Sequence, residues 1–237
     1  MIYNESCLDT VKHIERESID MVILDPFFNE WDKYVNMDMG FLRNGGIIVA
    51  FSNRPHTGRL QVEFDKKYNF ITEVVWNFAD GRWVSNNLPR ITHENILIYS
   101  KGVKSKLMDM RLLEWIDKPK QSKKGGASIG KWKTGSRTYS PGNLSQVESV
   151  IYCPRNMGKA MGAVSKPLDL IRLLIKMTTK VNDIVYDPFV GSGTTVIACQ
   201  IERRRCIGSE ISKELYDKAV VSVRMGRGLF DWDGRND

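Results

Sequence analysis

The 237-residue chain reads as an α/β protein built on a layered, mostly parallel sheet. Three observations predict this class. Short apolar runs alternate with stretches of helical periodicity; two of the runs end in Asp-Pro, at Asp25-Pro26 and Asp187-Pro188; and the second of these continues through glycines into a helix. Sheets of this kind bind ligands beyond the carboxyl ends of their strands, so the two Asp-Pro turns mark where chemistry is expected.

In chain order, Ile19 to Leu24 is an apolar run halted by Asp25-Pro26, the pattern of a buried strand. Asn44-Gly45-Gly46 turns into another, Ile47 to Phe51. Phe70 to Phe78 and Asn95 to Tyr99 are β-branched and aromatic enough for two more, separated by a polar loop. Lys166-Pro167-Leu168 opens a helix with Leu168, Ile171, Leu174, Ile175 and Thr178 at helical spacing, Pro167 lying in its first turn. Asp183 to Tyr186 is a strand, Thr194 to Glu202 a helix and Cys206 to Glu210 a strand. Ser212 then caps a helix that runs to about Met225.

Composition narrows the function classes. At 42% hydrophobic and 27% charged, the chain is neither wholly disordered nor fibrous, and its length suits one large domain. The acidic N-terminus is unlike a signal peptide, and the apolar runs fall far short of the roughly 20 residues of a membrane-spanning helix, so no membrane partner is expected. Cys7, Cys153, Cys199 and Cys206 form no CxxC pair and the three histidines are scattered. This pattern predicts no metal site, four separate part-buried thiols and a cytoplasmic location. The net charge of +7 is concentrated: Lys101 to Arg137 carry 11 basic against 3 acidic residues, leaving a net of −1 for the other 200. That stretch is rich in Gly, Ser and Lys, with Trp132 and Tyr139 nearby. Lys118, Lys120, Lys123, Lys124, Lys131, Lys133 and Arg137 suit a nucleic-acid contact, and equally a solvated linker kept soluble by its lysines.

The loop Asp187-Pro188-Phe189-Val190-Gly191-Ser192-Gly193 joins a strand to a helix, and its two glycines let backbone approach a small cofactor. It is no P-loop, because no Gly-Lys-Ser/Thr follows, and Val196 stands where a dinucleotide fingerprint needs its third glycine. Glu210 ends the next strand, where a carboxylate can accept both hydroxyls of a ribose.

Together these motifs resemble the amino-methylating DNA methyltransferases. Their catalytic signature is Asp/Asn/Ser-Pro-Pro-Tyr/Phe/Trp, matched by Asp25-Pro26-Phe27-Phe28, and their cofactor loop reads Asp-Pro-Phe-x-Gly-Ser-Gly-Thr-Thr, matched from Asp187 through Thr194 and Thr195. Ser6-Cys7-Leu8-Asp9, Ser18-Ile19-Asp20, Trp76, His93 to Leu97 and Lys166-Pro167-Leu168 resemble further family motifs. With the catalytic motif first, the order resembles the circularly permuted β class.

The resemblance implies a Rossmann-like, doubly wound sheet with one antiparallel strand. It divides the chain into a catalytic half (1–100), a basic target-recognition insertion (101–160) and a cofactor-binding half (161–237). S-adenosyl-L-methionine is the implied cofactor, with Asp187 near its amino group, Phe189, Gly191, Ser192, Gly193 and Thr194 around it, Glu210 on the ribose and Ser6 or Cys7 at the adenine. Lys166 is placed toward the methionine carboxylate. Asp25 and the Pro26 carbonyl would accept the N–H groups of a flipped-out base on which Phe28 stacks. His93 and Glu94 are expected to serve structure rather than catalysis. The implied partner is double-stranded DNA, with a homodimer and a companion restriction endonuclease left open. Asp in the signature favours N6 of adenine, with N4 of cytosine as the alternative. Phe27, in place of the second proline, loosens the backbone that aims the Pro26 carbonyl and keeps open a silent DNA-binding subunit of the same fold.

Overall fold

The computed structural model describes residues 1–26, 31–52, 55–82, 85–108, 147–155 and 165–230. Phe27, Phe28, Lys118, Lys120, Lys123, Lys124, Lys131, Lys133 and Arg137 lie outside the described residues. The chain begins with strand β1 (Ile2–Tyr3), helix α1 (Cys7–Thr10), β2 (Ile19–Leu24) and α2 (Trp31–Tyr34). It continues through β3 (Leu42–Ser52), α3 (His56–Asp65), β4 (Asn69–Arg82), β5 (Ile91–Ser100) and β6 (Val150–Tyr152). The last elements are α4 (Leu168–Thr178), β7 (Ile184–Asp187), α5 (Thr194–Ile201), β8 (Arg205–Ser209) and α6 (Lys213–Phe230).

All eight strands form one sheet in the order β1-β8-β7-β2-β3-β5-β4-β6. Every described pairing is parallel except those made by β5, which runs against both β3 and β4. The expected single antiparallel strand is therefore β5. Its reversal matters for the site, since the beginning of β5 reaches the rim where β2, β3, β7 and β8 end: Asn95 pairs with Ser52, and Glu94 with Trp76.

Side chains alternate across the central strands into two cores. Met21 and Ile23 of β2 join Val49, Ile98, Leu170, Leu174 and Cys199 on the face covered by α4 and α5. Val22 and Leu24 join Ile48, Leu97, Leu60, Phe64 and Tyr186 on the face covered by α3. Burial on both sides explains why β2 and the second half of β3 read as unbroken apolar runs. α4 buries Leu170, Ile171, Leu173, Leu174, Ile175 and Met177, and Pro167 occupies its N-cap position, one residue before the helix proper. Ser212 accepts the Leu215 N–H at the start of α6, the expected cap.

Several elements go beyond the sequence expectation. β1 pairs with β8 at one edge, β6 with β4 at the other, and α3 packs between. β6 falls within 101–160, so by Val150 the chain has rejoined the sheet. Cys199 and Cys206, expected as separate thiols, are close neighbours, because the end of α5 folds straight back into β8, and their proximity pushes the Cys199 thiol up. No helix among the described residues is long and apolar enough to cross a membrane.

Candidate active site

The parallel strands bring the two Asp-Pro turns side by side. Val22 of β2 pairs with Tyr186 of β7, so Asp25 and Asp187 emerge at the same rim. Asp187 is buried and its carboxylate accepts the Phe189 N–H at 2.8 Å. Burial pushes its pKa up to about 7; the Thr195 and Phe189 hydrogen bonds oppose this, and the charges of Asp25 and Glu210 add to it.

The glycine loop turns on Gly191 (φ +53°) and Gly193 (φ +94°), both left-handed, which explains why glycine is needed there. Gly193 also packs on α6, where an added Cβ would lie 3.3 Å from the Ala219 Cα. At Gly191 an added Cβ would meet only the Phe189 carbonyl, at 3.8 Å, so the outer side of the turn is uncrowded. Glu210 clasps this loop: its Oε2 accepts the Gly191 N–H at 2.9 Å and its Oε1 the Ser212 N–H at 2.8 Å. A carboxylate has about four lone-pair directions, so two remain for hydroxyls. An uncrowded backbone turn beside a buried carboxylate fits a nucleoside-type cofactor. Thr194 is buried at the start of α5, and the Ser192 hydroxyl lies 3.5 Å from its own.

Phe189 meets Tyr34 of α2 edge-on, ring centroids 4.6 Å apart, which ties the chain after the catalytic motif to the cofactor loop. Ser6 caps α1 by accepting the Leu8 N–H, and the Cys7 carbonyl accepts from the Tyr186 hydroxyl at 3.4 Å. Through that hydroxyl, which also lies 3.0 Å from Ser209 Oγ, the Ser6-Cys7 turn joins the ends of β7 and β8.

The association that sequence reading missed is centred on Lys166. Its ammonium lies 2.8 Å from Asp25 Oδ1 and 3.3 Å from Glu94 Oε2, over the rings of Phe51 at 4.9 Å and Trp76 at 5.8 Å. The lysine and Glu94 side chains are only 13% and 14% exposed and Asp25 is 35% exposed, so this cluster is largely out of water. Burial alone would lower the Lys166 pKa, but the two carboxylates together outweigh it and hold the ammonium above its ordinary range. One signal was available: Glu94 is a charge at the head of the otherwise apolar run Ile96-Leu97-Ile98.

The profile of the N6/N4 DNA methylase family matches residues 24–221, from the end of β2 into α6. The chain belongs to this family. The methyltransferase is 25% identical over 236 residues to the type II methyltransferase M.HpaI of Haemophilus parainfluenzae, an alignment covering 90% of this chain and 71% of that protein. The crystal structure of M1.HpyAVI, solved as a complex with S-adenosylmethionine, superposes with a TM-score of 0.64 at 20% identity, covering 94% and 98% of the two chains. The cytosine-N4-specific PvuII DNA methyltransferase superposes with a TM-score of 0.69 at 15% identity, over 97% and 90%. The likeness to these solved structures establishes the fold of an S-adenosylmethionine-dependent methyltransferase, and the family establishes a DNA methyltransferase without deciding between adenine and cytosine.

Proposed function

We propose that this methyltransferase transfers a methyl group to N6 of an adenine flipped out of double-stranded DNA. The observation that carries the reading is the juxtaposition of Asp25 with the Asp187–Gly193 loop, held by the β2–β7 pairing. S-adenosyl-L-methionine, when bound, supplies an electrophilic methyl group. The chain's own residues bind and orient. Glu210 accepts ribose hydroxyls on the lone pairs not used by Gly191 and Ser212. Asp187 faces the cofactor's amino group, Phe189, Gly191, Ser192, Gly193 and Thr194 line its path, and Ser6 and Cys7 lie toward its adenine.

An exocyclic amine is a weak nucleophile because its lone pair is conjugated with the ring. Asp25 and the Pro26 carbonyl accept its two N–H groups, which turns the lone pair toward the methyl group; orientation and a fixed electrostatic environment supply most of the acceleration. Phe28 stacks on the extruded base. The chain between β5 and β6, with Lys118, Lys120, Lys123, Lys124, Lys131, Lys133 and Arg137, reads the target. The type II name of the relatives fits a companion restriction endonuclease, and the assembly is a single chain or a homodimer.

Incubating the protein with DNA and S-adenosylmethionine and analysing the nucleosides by mass spectrometry tests the reading. N6-methyladenine is expected, and Asp25→Ala should abolish it while leaving cofactor binding intact. N4-methylcytosine as sole product replaces the adenine assignment; DNA binding without any transfer, with activity appearing in Phe27→Pro, replaces it with a silent subunit.

A further inference from the structure

Lys166 poses a problem that the transfer reaction does not by itself solve. Asp25 is to accept an N–H of the target amine, and Lys166 Nζ donates to Asp25 Oδ1 at 2.8 Å, so one of its two oxygens carries a donor before any base arrives. A buried ammonium cannot simply vacate that position, because a charge left without a partner in a low-dielectric site is costly. Glu94 supplies the partner. It reaches the same rim only because β5 runs antiparallel, and its Oε2 stands 3.3 Å from the ammonium.

We infer that Lys166 and Glu94 form a placeholder pair for Asp25: Lys166 occupies Asp25 Oδ1 until the target amine arrives at that oxygen, and then withdraws onto Glu94. The inference rests on the methyl-transfer reading above and gives positioning roles to two residues, one of which that reading leaves to structure. Phe51 and Trp76, whose ring centroids lie 4.9 and 5.8 Å from the ammonium, give it an aromatic floor beside both carboxylates. Charge balance supports the arrangement. Asp25, Glu94 and Lys166 together carry −1, so the amine that becomes cationic on accepting the methyl group still faces net negative charge after the lysine has moved. Asp187 and Glu210 stand at the same rim, and the charges of Asp25 and Glu210 both oppose the ionisation of Asp187.

The test compares Lys166→Met, Lys166→Arg and Glu94→Gln with the parent protein, using labelled methyl transfer to DNA and calorimetric titration with S-adenosylmethionine. Lys166→Met should lower kcat about 100-fold, the scale of loss when a reacting group is misplaced by ~1 Å, with cofactor affinity unchanged. Unchanged affinity also shows that the variant is folded. Lys166→Arg should recover most of the rate. Glu94→Gln pins the ammonium on Asp25, so KM for DNA should rise along with a fall in kcat. If Lys166→Met instead loses cofactor affinity, the lysine holds the cofactor and the placeholder role is overturned; unaltered kinetics in Glu94→Gln overturn it as well. A parent protein that transfers no methyl group removes the underlying reading and the inference together, whereas an active parent with unaffected variants removes the inference alone.

Discussion

Asp187 is a strongly perturbed acid at the rim, and its pH behaviour follows from burial. Folding raises its pKa from 3.8 to about 7. Between these values the folded chain holds a proton that the unfolded chain has released, so the contribution of this group to stability is full below 3.8, declines as pH rises and is gone above about 7. A cationic amino group placed beside it reverses the preference, because it favours the carboxylate. S-adenosylmethionine affinity is therefore expected to rise with pH up to about 7, and binding at a pH of about 6 should release a fraction of a proton. Calorimetry in two buffers of different ionisation enthalpy measures that release, and Asp187→Asn should eliminate it. The sequence placed Asp187, Gly191, Gly193 and Glu210 at one turn because they are adjacent in chain or separated by a single helix. It could not place Lys166 beside Glu94, since that pairing crosses 72 positions and depends on the direction of β5.

At the scale of elements, the cofactor loop and β8 are fitted to each other. A Cβ at Gly208 would lie 2.3 Å from Val190 Cγ2, and the β-branched valine has little freedom to yield. Gly208→Ala should cost about 1–3 kcal/mol of stability and displace the loop, weakening cofactor binding. In a chain of this size that corresponds to a drop of roughly 2–12 °C in Tm. Adding Val190→Ala should restore part of both losses, a coupling that a double-mutant cycle on Tm and cofactor affinity reads directly. The long buried strands and α4 were legible because each carries a strong period or an unbroken apolar run. α3 was not: it buries only Leu60 and Phe64, holds Gly58 within it and leaves Val62 exposed among polar residues. β1 and β6, of two and three residues, are too short to show alternation and exist only by virtue of the strands they join.

Across the whole molecule, the separation of charge remains the clearest guide to the DNA. The 200 residues outside Lys101–Arg137 sum to −1, so the framework contributes little long-range attraction for a polyanion. Replacing Lys123, Lys124, Lys131 and Lys133 with glutamine should reduce the salt dependence of DNA binding by roughly 0.9 in log–log slope for each phosphate that is no longer neutralised. Binding titrations at several salt concentrations measure the slope; an unchanged value would assign the lysines to solubility.

The interleaved strand order also has a consequence in time. β2 lies between β3 and β7, and the Ile184 N–H that helps lock this seam donates to Asp20, 164 residues earlier. At ribosomal rates of about 5–20 residues per second, one edge of β2 waits roughly ten to thirty seconds for its neighbour to be synthesised. During that interval the nascent chain presents Met21 to Leu24 as an unpaired apolar edge, so slower growth and chaperone supply should raise the yield of folded enzyme more than any addition of cofactor, whose loop has yet to be made.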